Sequence, residues 1–536
     1  MIKAIFIDYT GTMVMEDEPY TRELVKYFIT HSDLKDPKAV LGVVWTKVKE
    51  IEAASFGKDF IKNDEKVDII LDYCEKTCGL KGDRGYMHDT WRKIWVHAPL
   101  YDDVRPFFER VKVPVYIISN DDIMYLEESM RIKDLHPAGI ISAETVGACK
   151  PHRSIFERAL VTAGVKPEEA VFIGDSVTSD VKPALAMGIT PVYLARNGGD
   201  APEGVRVIRS LDEYMSPCFA SNSEAQPCVG RVLRYLASIA GDRIITGQHT
   251  QTMDMEELKH IRAVTGKAPG LLGFELLSYS PNINRQDTDE ECMKEVAENR
   301  GTLQRALEWA KEKGLITFTW HWFSPLGGRS KSFFTQNTDF DAYRAVLPGT
   351  PENEALIYDM DHMAKLLEPF CEKGIPVLWR PFHEMDGDWF WWGAKGAETA
   401  KKLWKIMYER YTSHHHLTNL IWVWNAENAQ YYPGDEFVDV ISRDMYPPAH
   451  EHTARKEEYI AMEKVTTAPK TVLIGETGVL PDVKELHEKK VGWASYMTWS
   501  KVFCLTEEYN SSEELKKLYD SPYAITLEDI REQKLY

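Results

Sequence analysis

Short apolar runs alternate with amphipathic, helix-period stretches over most of this chain. In the first 212 residues the runs are KAIFID (3–8), VPVYIIS (113–119), AVFIGD (170–175) and TPVYLA (190–195). Each is short, rich in β-branched and aromatic residues and bounded by turn formers, which predicts buried strands. The helical stretches between them predict a parallel sheet covered on both faces. YTRELVKYFITHSDLKD and NDEKVDIILDYCEKTCG fill the long gap between the first two runs and predict a helical insertion over about 16–100.

The pattern breaks at DEYMSPCFASNSEAQPC (212–228), where Pro, Ser and Asn interrupt the apolar period as linkers do. The expected division is therefore a first domain over 1–212, a linker over 213–229 and a second domain over 230–536. The second domain supplies eight strand candidates: RIITGQH (243–249), LLGFELLSY (271–279), ITFTWHW (316–322), PVLWRPFHE (376–384), LIWVWN (420–425), FVDVISRDMY (437–446), TVLIGETG (471–478) and ASYMTWSKVF (494–503). Helical patterns such as MKEVAENRGTLQRALEWAKEKG and ALIYDMDHMAKLLEPFCEKG separate them. That is the pattern of a (β/α)8 TIM barrel, in which the site sits at the C-terminal strand ends.

Composition narrows the function classes. At 536 residues the chain is too long for one ordinary core, and a formal net charge of -19 disfavours nucleic acid as a partner. No apolar run reaches membrane-spanning length, so no membrane partner is expected. The start, MIKAIFIDYTGTMV, reads as a buried strand rather than a signal peptide. Eight scattered cysteines lack zinc spacing, and together these features predict a cytoplasmic protein with reduced thiols. Cys74 and Cys78 read as half-buried small residues of a helix, and the run His414, His415, His416 as a solvated turn.

Asp8 ends a strand and is followed by Gly-Thr, an arrangement that presents a carboxylate nucleophile while turn amides hold an anion. Ser119 ends the next strand, Lys150 precedes Pro in GACKPHRSIFERAL, and GDSVTSD brings Asp175 and Asp180. Nucleophile, hydroxyl, cation and metal-binding carboxylates together are what phosphoryl transfer through an aspartyl phosphate requires. In this order the residues resemble the four motifs of the haloacid dehalogenase-like superfamily, whose Rossmann-like core carries a helical cap. The resemblance implies Asp8 as nucleophile and Ser119 and Lys150, with Thr10, as phosphate binders. It also implies a Mg2+ site at Asp8, Asp175, Asp180 and the Thr10 carbonyl. Phosphatases of the superfamily usually carry an aspartate where Thr10 stands, so the general acid is missing here.

In the second domain, Arg380, His383 and Glu384 fall at the end of the fourth strand and Glu476 closes the seventh. Two glutamates at those ends are the pair used by retaining glycosidases, whose carboxyls stand about 5–5.5 Å apart. Trp389 and the other aromatics of RPFHEMDGDWFWWG suit the C–H faces of a sugar. With GQH at strand one, WHW at strand three and TWS at strand eight, the domain resembles glycoside hydrolase family 26, best known for endo-β-1,4-mannanases. The resemblance implies Glu384 as acid/base and Glu476 as nucleophile held by Tyr446. His321, His383, Trp389 and Trp499 would grip the sugar before the scissile bond, and Arg380 would orient the carboxylates. The family more often has Asn where this chain has Asp386. Phe390, Trp391 and Trp392 read equally as packing or as sugar platforms, and Asn425 equally as a substrate contact or a turn cap.

The expected function is bifunctional: retaining hydrolysis of β-1,4-mannosidic bonds in a manno-oligosaccharide, and Mg2+-dependent removal of phosphate from a sugar phosphate. The two acts would fall on one phosphorylated oligosaccharide. The alternatives are a non-catalytic sugar-phosphate sensor or scaffold in the first domain, and a barrel active on another β-glycan.

Overall fold

A computed structural model describes all residues except 1, 17–18, 200, 203–204, 216–219, 251–253, 287 and 467. Cys218 and part of the expected linker lie outside the described residues. The chain forms two compact units that divide between residues 215 and 216. Ordered structure reaches into the expected linker from both sides: helix Leu211–Tyr214 enters it and helix Pro227–Ile239 begins within it.

In the first unit a six-stranded parallel sheet comprises β1 (Ala4–Asp8), β2 (Val115–Ser119), β3 (Gly139–Ser142), β4 (Ala170–Gly174), β5 (Thr190–Leu194) and β6 (Arg206–Ile208), in the order β3-β2-β1-β4-β5-β6. β3 and β6 are absent from the sequence reading, because their short, half-exposed patterns carry little apolar signal. β1 and β4 are buried along their whole length. β1 lies between β2 and β4, so Asp8, Ser119 and the loop after β4 converge at one sheet edge. This is where the strand order reverses, the usual place for a ligand in an open α/β sheet. Four helices, α1 (Pro19–His31), α2 (Pro37–Ala54), α3 (Asn63–Cys78) and α4 (Arg84–His97), form the insertion after β1 and share a hydrophobic core of their own. Cys74 and Cys78 are buried in α3.

In the second unit seven parallel strands lie in sequence order: β8 (Gly247–Thr250), β9 (Leu271–Glu275), β10 (Leu315–Thr319), β11 (Val377–Arg380), β12 (Leu420–Asn425), β13 (Val440–Met445) and β14 (Thr471–Thr477). The two-residue strands β7 (Ile244–Ile245) and β15 (Ala524–Ile525) pair separately. The expected eighth strand, 494–503, is not a regular strand and ends much earlier. Its segment nevertheless closes the barrel: Thr498 N–H donates to Gly247 at 3.1 Å and Ala494 N–H to Val472 at 3.0 Å. Isolated bridges join Thr498 to both Gln248 and Thr477. Helix Pro227–Ile239 packs Val229, Val232, Leu233 and Leu236 against residues near the strands' N-terminal ends, including Leu271, Leu315, Leu378 and Val440. That end is plugged, and the polar strand residues are left to the C-terminal end. Among the described residues, no helix is long and apolar enough to cross a membrane.

Candidate active sites

β11 ends at Arg380, so His383 and Glu384 lie in the turn beyond the strand rather than within it. The turn is tight: Phe382 and Glu384 take φ of 51° and 50°, a left-handed conformation that costs non-glycine residues about 1–2 kcal/mol each. Two groups hold it. Asn425, buried at the end of β12, accepts the Glu384 N–H at 2.7 Å through Oδ1, and the Trp392 indole donates to the His383 carbonyl at 2.9 Å. Trp389, 45% exposed, donates its indole N–H to Glu384 Oε2 at 2.9 Å.

Glu476 sits in β14 with a donor on each oxygen: the Arg380 guanidinium on Oε1 and the Tyr446 hydroxyl, at 2.7 Å, on Oε2. Arg380 is itself buried and also pairs with both oxygens of Asp444, at 3.1 and 3.0 Å. A register shift in β13 between Arg443 and Asp444 sets Asp444 opposite Glu476. Such bulges re-aim side chains near sites. Asn425 Nδ2 donates to Asp444 at 2.8 Å, completing a chain from the backbone of Glu384 through Asn425, Asp444 and Arg380 to Glu476. Gly475 makes room for that chain, since a Cβ there would stand 2.5 Å from Asp444 Oδ1 and 2.7 Å from Asn425 Nδ2.

One guanidinium thus serves two carboxylates with a third nearby. Burial, then the negative charge of Asp444, raises the Glu384 pKa despite the Trp389 hydrogen bond. Asp444 is pushed up to about 7 by burial and by the charge of Glu476. Beside them, burial would lower His321, but the charge and hydrogen bond of Glu275, at 2.7 Å, outweigh it and raise the pKa. His383 is driven well below the usual histidine range by burial, His321 and Arg380. The two Nε2 atoms meet at 3.1 Å, within hydrogen-bond reach of one another. Trp499 stacks on His249, with ring centroids 3.8 Å apart.

The structure brings together Glu384, Arg380, Glu476 and Tyr446 in this chain, and His321, His383 and Trp499 in an adjoining ring cluster. Phe390, Trp391 and Trp392 are buried packing, with the Trp391 indole bonded to the Trp322 carbonyl. Asn425 is buried and links the Glu384 main chain to Asp444 instead of capping the turn after β12. Asp386 accepts the N–H groups of Glu427 and Asn428 at 2.9 and 2.8 Å and so caps the loop after β12. No role follows from the sequence for Asp444, Glu275 or Gly475, and His249 enters there only as the histidine of GQH. Asp444 stands inside the quoted strand six and Gly475 directly before Glu476, but their roles depend on register between strands. The His414–His416 turn is not simply solvated, because His415 Nε2 donates to the Asp361 carboxylate at 2.7 Å beside Arg410.

In the first unit Asp8 is buried at the end of β1. Lys150 Nζ lies 2.5 Å from Asp8 Oδ1 and 2.7 Å from Asp180 Oδ1. Asp8, Asp175 and Asp180 each present a ligand atom within 4.8 Å of the others. Burial is the main reason all three are raised, Asp8 to about 7 and Asp175 and Asp180 to about 6, with neighbouring carboxylates adding to it. Clustered hard oxygen donors of this kind fit Mg2+. Gly11, at φ +82°, lets the turn pass Asp175, whose Oδ2 would stand 2.4 Å from a Cβ there. The Thr12 hydroxyl donates to Asp175 Oδ1 at 3.2 Å, while Arg196 donates to the Thr12 carbonyl at 2.8 Å and pairs with Asp103. Ser119 and Thr10 both direct their hydroxyls to Asp121, at 3.0 and 3.5 Å. Asp121 is a further site residue that the sequence reading passed over.

The sequence profile described as haloacid dehalogenase-like hydrolase matches residues 2–188, and that of glycosyl hydrolase family 26 matches residues 221–529. A mannan endo-1,4-beta-mannosidase of Thermothelomyces thermophilus is 34% identical over 322 residues, covering 58% of this chain and 63% of that protein. One from Piromyces sp, mannan endo-1,4-beta-mannosidase B, is 29% identical over 340 residues, covering 62% and 56%. The chain thus spans less than two thirds of these relatives' length. Among solved structures, the GH26-CBM35 beta-(1,4)-mannanase of Podospora anserina matches at TM-score 0.53 and 31% identity, over 63% of this chain and 72% of that one. The beta-mannanase from a symbiotic protist of the termite Reticulitermes speratus, solved with gluco-manno-oligosaccharide, matches at TM-score 0.53 and 28% identity, over 59% and 98%. With its barrel profile spanning more than half of 536 residues, the chain belongs to glycosyl hydrolase family 26, and it carries a haloacid dehalogenase-like hydrolase domain at its N-terminal end.

Proposed function

We propose that the barrel unit is a retaining glycosidase that hydrolyses β-1,4-mannosidic bonds in manno-oligosaccharides. The observation that carries this is the continuous chain from the Glu384 backbone through Asn425, Asp444 and Arg380 to Glu476, which fixes two glutamates against one another. Glu476, held by Arg380 and Tyr446, attacks the anomeric carbon as the bond to the leaving oxygen breaks. Glu384, whose pKa is raised by burial and by the charge of Asp444, gives that oxygen its proton. In the second step Glu384 takes a proton from water, the water oxygen attacks the anomeric carbon, and Glu476 departs. Exposed Trp389 offers a sugar platform beside the acid. The mannanase names of the relatives support mannan over other β-glycans. Product analysis over a panel of β-mannans, glucans and xylans, with Glu384→Ala and Glu476→Ala as controls, tests the assignment.

For the first unit the proposal is hydrolysis of a phosphate monoester, with Asp8 as nucleophile. Ser119 and Lys150 stand beside Asp8 to receive the phosphoryl oxygens. Mg2+, held by Asp8, Asp175 and Asp180, would supply neutralising charge for those oxygens when bound. Thr10 favours a second reading, a phosphate-ester sensor without turnover, because its hydroxyl bonds Asp121 and offers no carboxylic acid to the leaving group. Phosphate release by wild type against Asp8→Asn separates the two: a rate that Asp8→Asn abolishes supports hydrolysis, and equal background rates support the sensor. We place both acts in the cytoplasm, a reading that the free state of all seven described cysteines supports.

A further inference from the structure

A cavity of about 280 Å³ opens from the Asp8 site into the helical cap. At one end it meets Asp8, Ser119, Lys150 and Asp175. At the other its wall is made by Leu24, Phe28, Val44, Val67, Ile70 and Trp91, from α1 to α4. These side chains belong to the cap's own hydrophobic core, so the four helices pack around a hollow instead of filling it. Empty apolar space forfeits dispersion contacts, and an apolar occupant restores them.

The charged residues on the cap side of the wall are Glu16, Lys49, Glu52 and Lys66, and each interacts with the sheet end or, for Lys49, with Glu16. Glu16 lies close enough to feel the charge of Asp8, and Glu52 close enough to feel Lys66, Asp121 and Lys150. Two further polar lining residues are already engaged there: Asn63 Nδ2 donates to Asp121 at 3.1 Å, and Lys66 Nζ donates to the Asn120 carbonyl at 3.0 Å. A sugar placed in the cap end would set its hydroxyls against aliphatic and aromatic carbon, and each unpaired buried hydroxyl weakens binding.

We propose that the N-terminal site acts on phosphate monoesters whose alcohol part is an apolar chain or ring system housed in the cap cavity. The phosphorylated oligosaccharide expected from the fusion is not its substrate. The inference rests on the reading of Asp8 as a phosphoryl nucleophile. An Asp8 oxygen attacks phosphorus, the bond to the ester oxygen breaks, and the departing alkoxide takes a proton from water. A second water, giving a proton to the hydroxide left behind, then attacks phosphorus and breaks its bond to the Asp8 oxygen, releasing inorganic phosphate and restoring the carboxylate.

The test measures phosphate release by the full chain with Mg2+ from butyl, hexyl and decyl phosphate and from mannose 6-phosphate, with Asp8→Asn as background. The expected kcat/KM rises along the alkyl series, by at most about fourfold per fully buried methylene, and exceeds that for mannose 6-phosphate. Val44→Trp and Val67→Phe, which fill the hollow, should lower kcat/KM for decyl phosphate at least about tenfold and spare butyl phosphate. The wild-type chain-length series stands even if a filled cap fails to fold. Decylphosphonate binding to Asp8→Asn, read from the fluorescence of Trp45, Trp91 and Trp95 on the cavity wall, needs no turnover. Mannose 6-phosphate as the equal or better substrate overturns this inference and leaves the phosphatase standing. Decylphosphonate binding without Asp8-dependent release from any ester overturns the phosphatase and supports the apolar ligand. Neither binding nor release overturns both.

Discussion

Asn425 accepts the backbone N–H of Glu384 at 2.7 Å, and with it holds a glutamate whose φ of 50° the chain would otherwise avoid. The acid of the proposed reaction is thus positioned by its main chain, and its carboxyl is left to Trp389 and substrate. Asn425→Ala should lower kcat by about 10²-fold with a smaller change in KM, because it misplaces the acid without removing a sugar contact. Steady-state kinetics on a defined manno-oligosaccharide checks this, and a loss confined to KM would contradict it.

Asp444 raises Glu384 by its charge, second only to burial. A protonated acid is required, so activity is present below the Glu384 pKa and lost as pH rises through it. Asp444→Asn removes the negative neighbour, and the basic limb of the kcat/KM profile should move to lower pH. The acidic limb should move less.

Gly475 passes within overlap distance of Asp444 and Asn425 for any side chain. Gly475→Ala should destabilise the barrel unit by about 1–3 kcal/mol and reduce activity more than that loss explains, since the atoms displaced are those that join the two glutamates. Thermal unfolding and kinetics on the same sample separate the two effects.

Asp8, Asp175 and Asp180 crowd three buried carboxylates into one place. Mg2+ binding should raise the unfolding temperature of the first unit, by about 2.7 kcal/mol of stabilisation at a hundredfold excess over Kd. Asp175→Asn should weaken that response, and a chelator should reverse it in wild type.

Much of this was legible along the chain because its signals are local. Strand runs ending in Asp8, Ser119 and Glu476, and the aromatic run after Glu384, each declare themselves within a few residues. The strand end at Arg380 was overrun, since the apolar pattern of PVLWRPFHE continues through a left-handed turn that only backbone geometry shows. The eighth strand lost regularity because its segment hydrogen-bonds β8 and β14 at separate points instead of along a ladder. Asp444 escaped, and Asn425 reads only as a substrate contact or a turn cap, because a polar residue late in a strand has no settled role until a bulge or a cross-strand neighbour gives it one. The cap cavity was the least legible feature, as helical periodicity marks an apolar face but not whether that face meets another or a hollow.

The central claim, a double displacement through Glu476 with Glu384 as acid, is tested most directly by proton NMR of the sugar first released from a manno-oligosaccharide. The account predicts that the β-anomer appears first and mutarotates later, with no product from Glu476→Ala over the same period. The α-anomer appearing first, or release undiminished in Glu476→Ala, would contradict it.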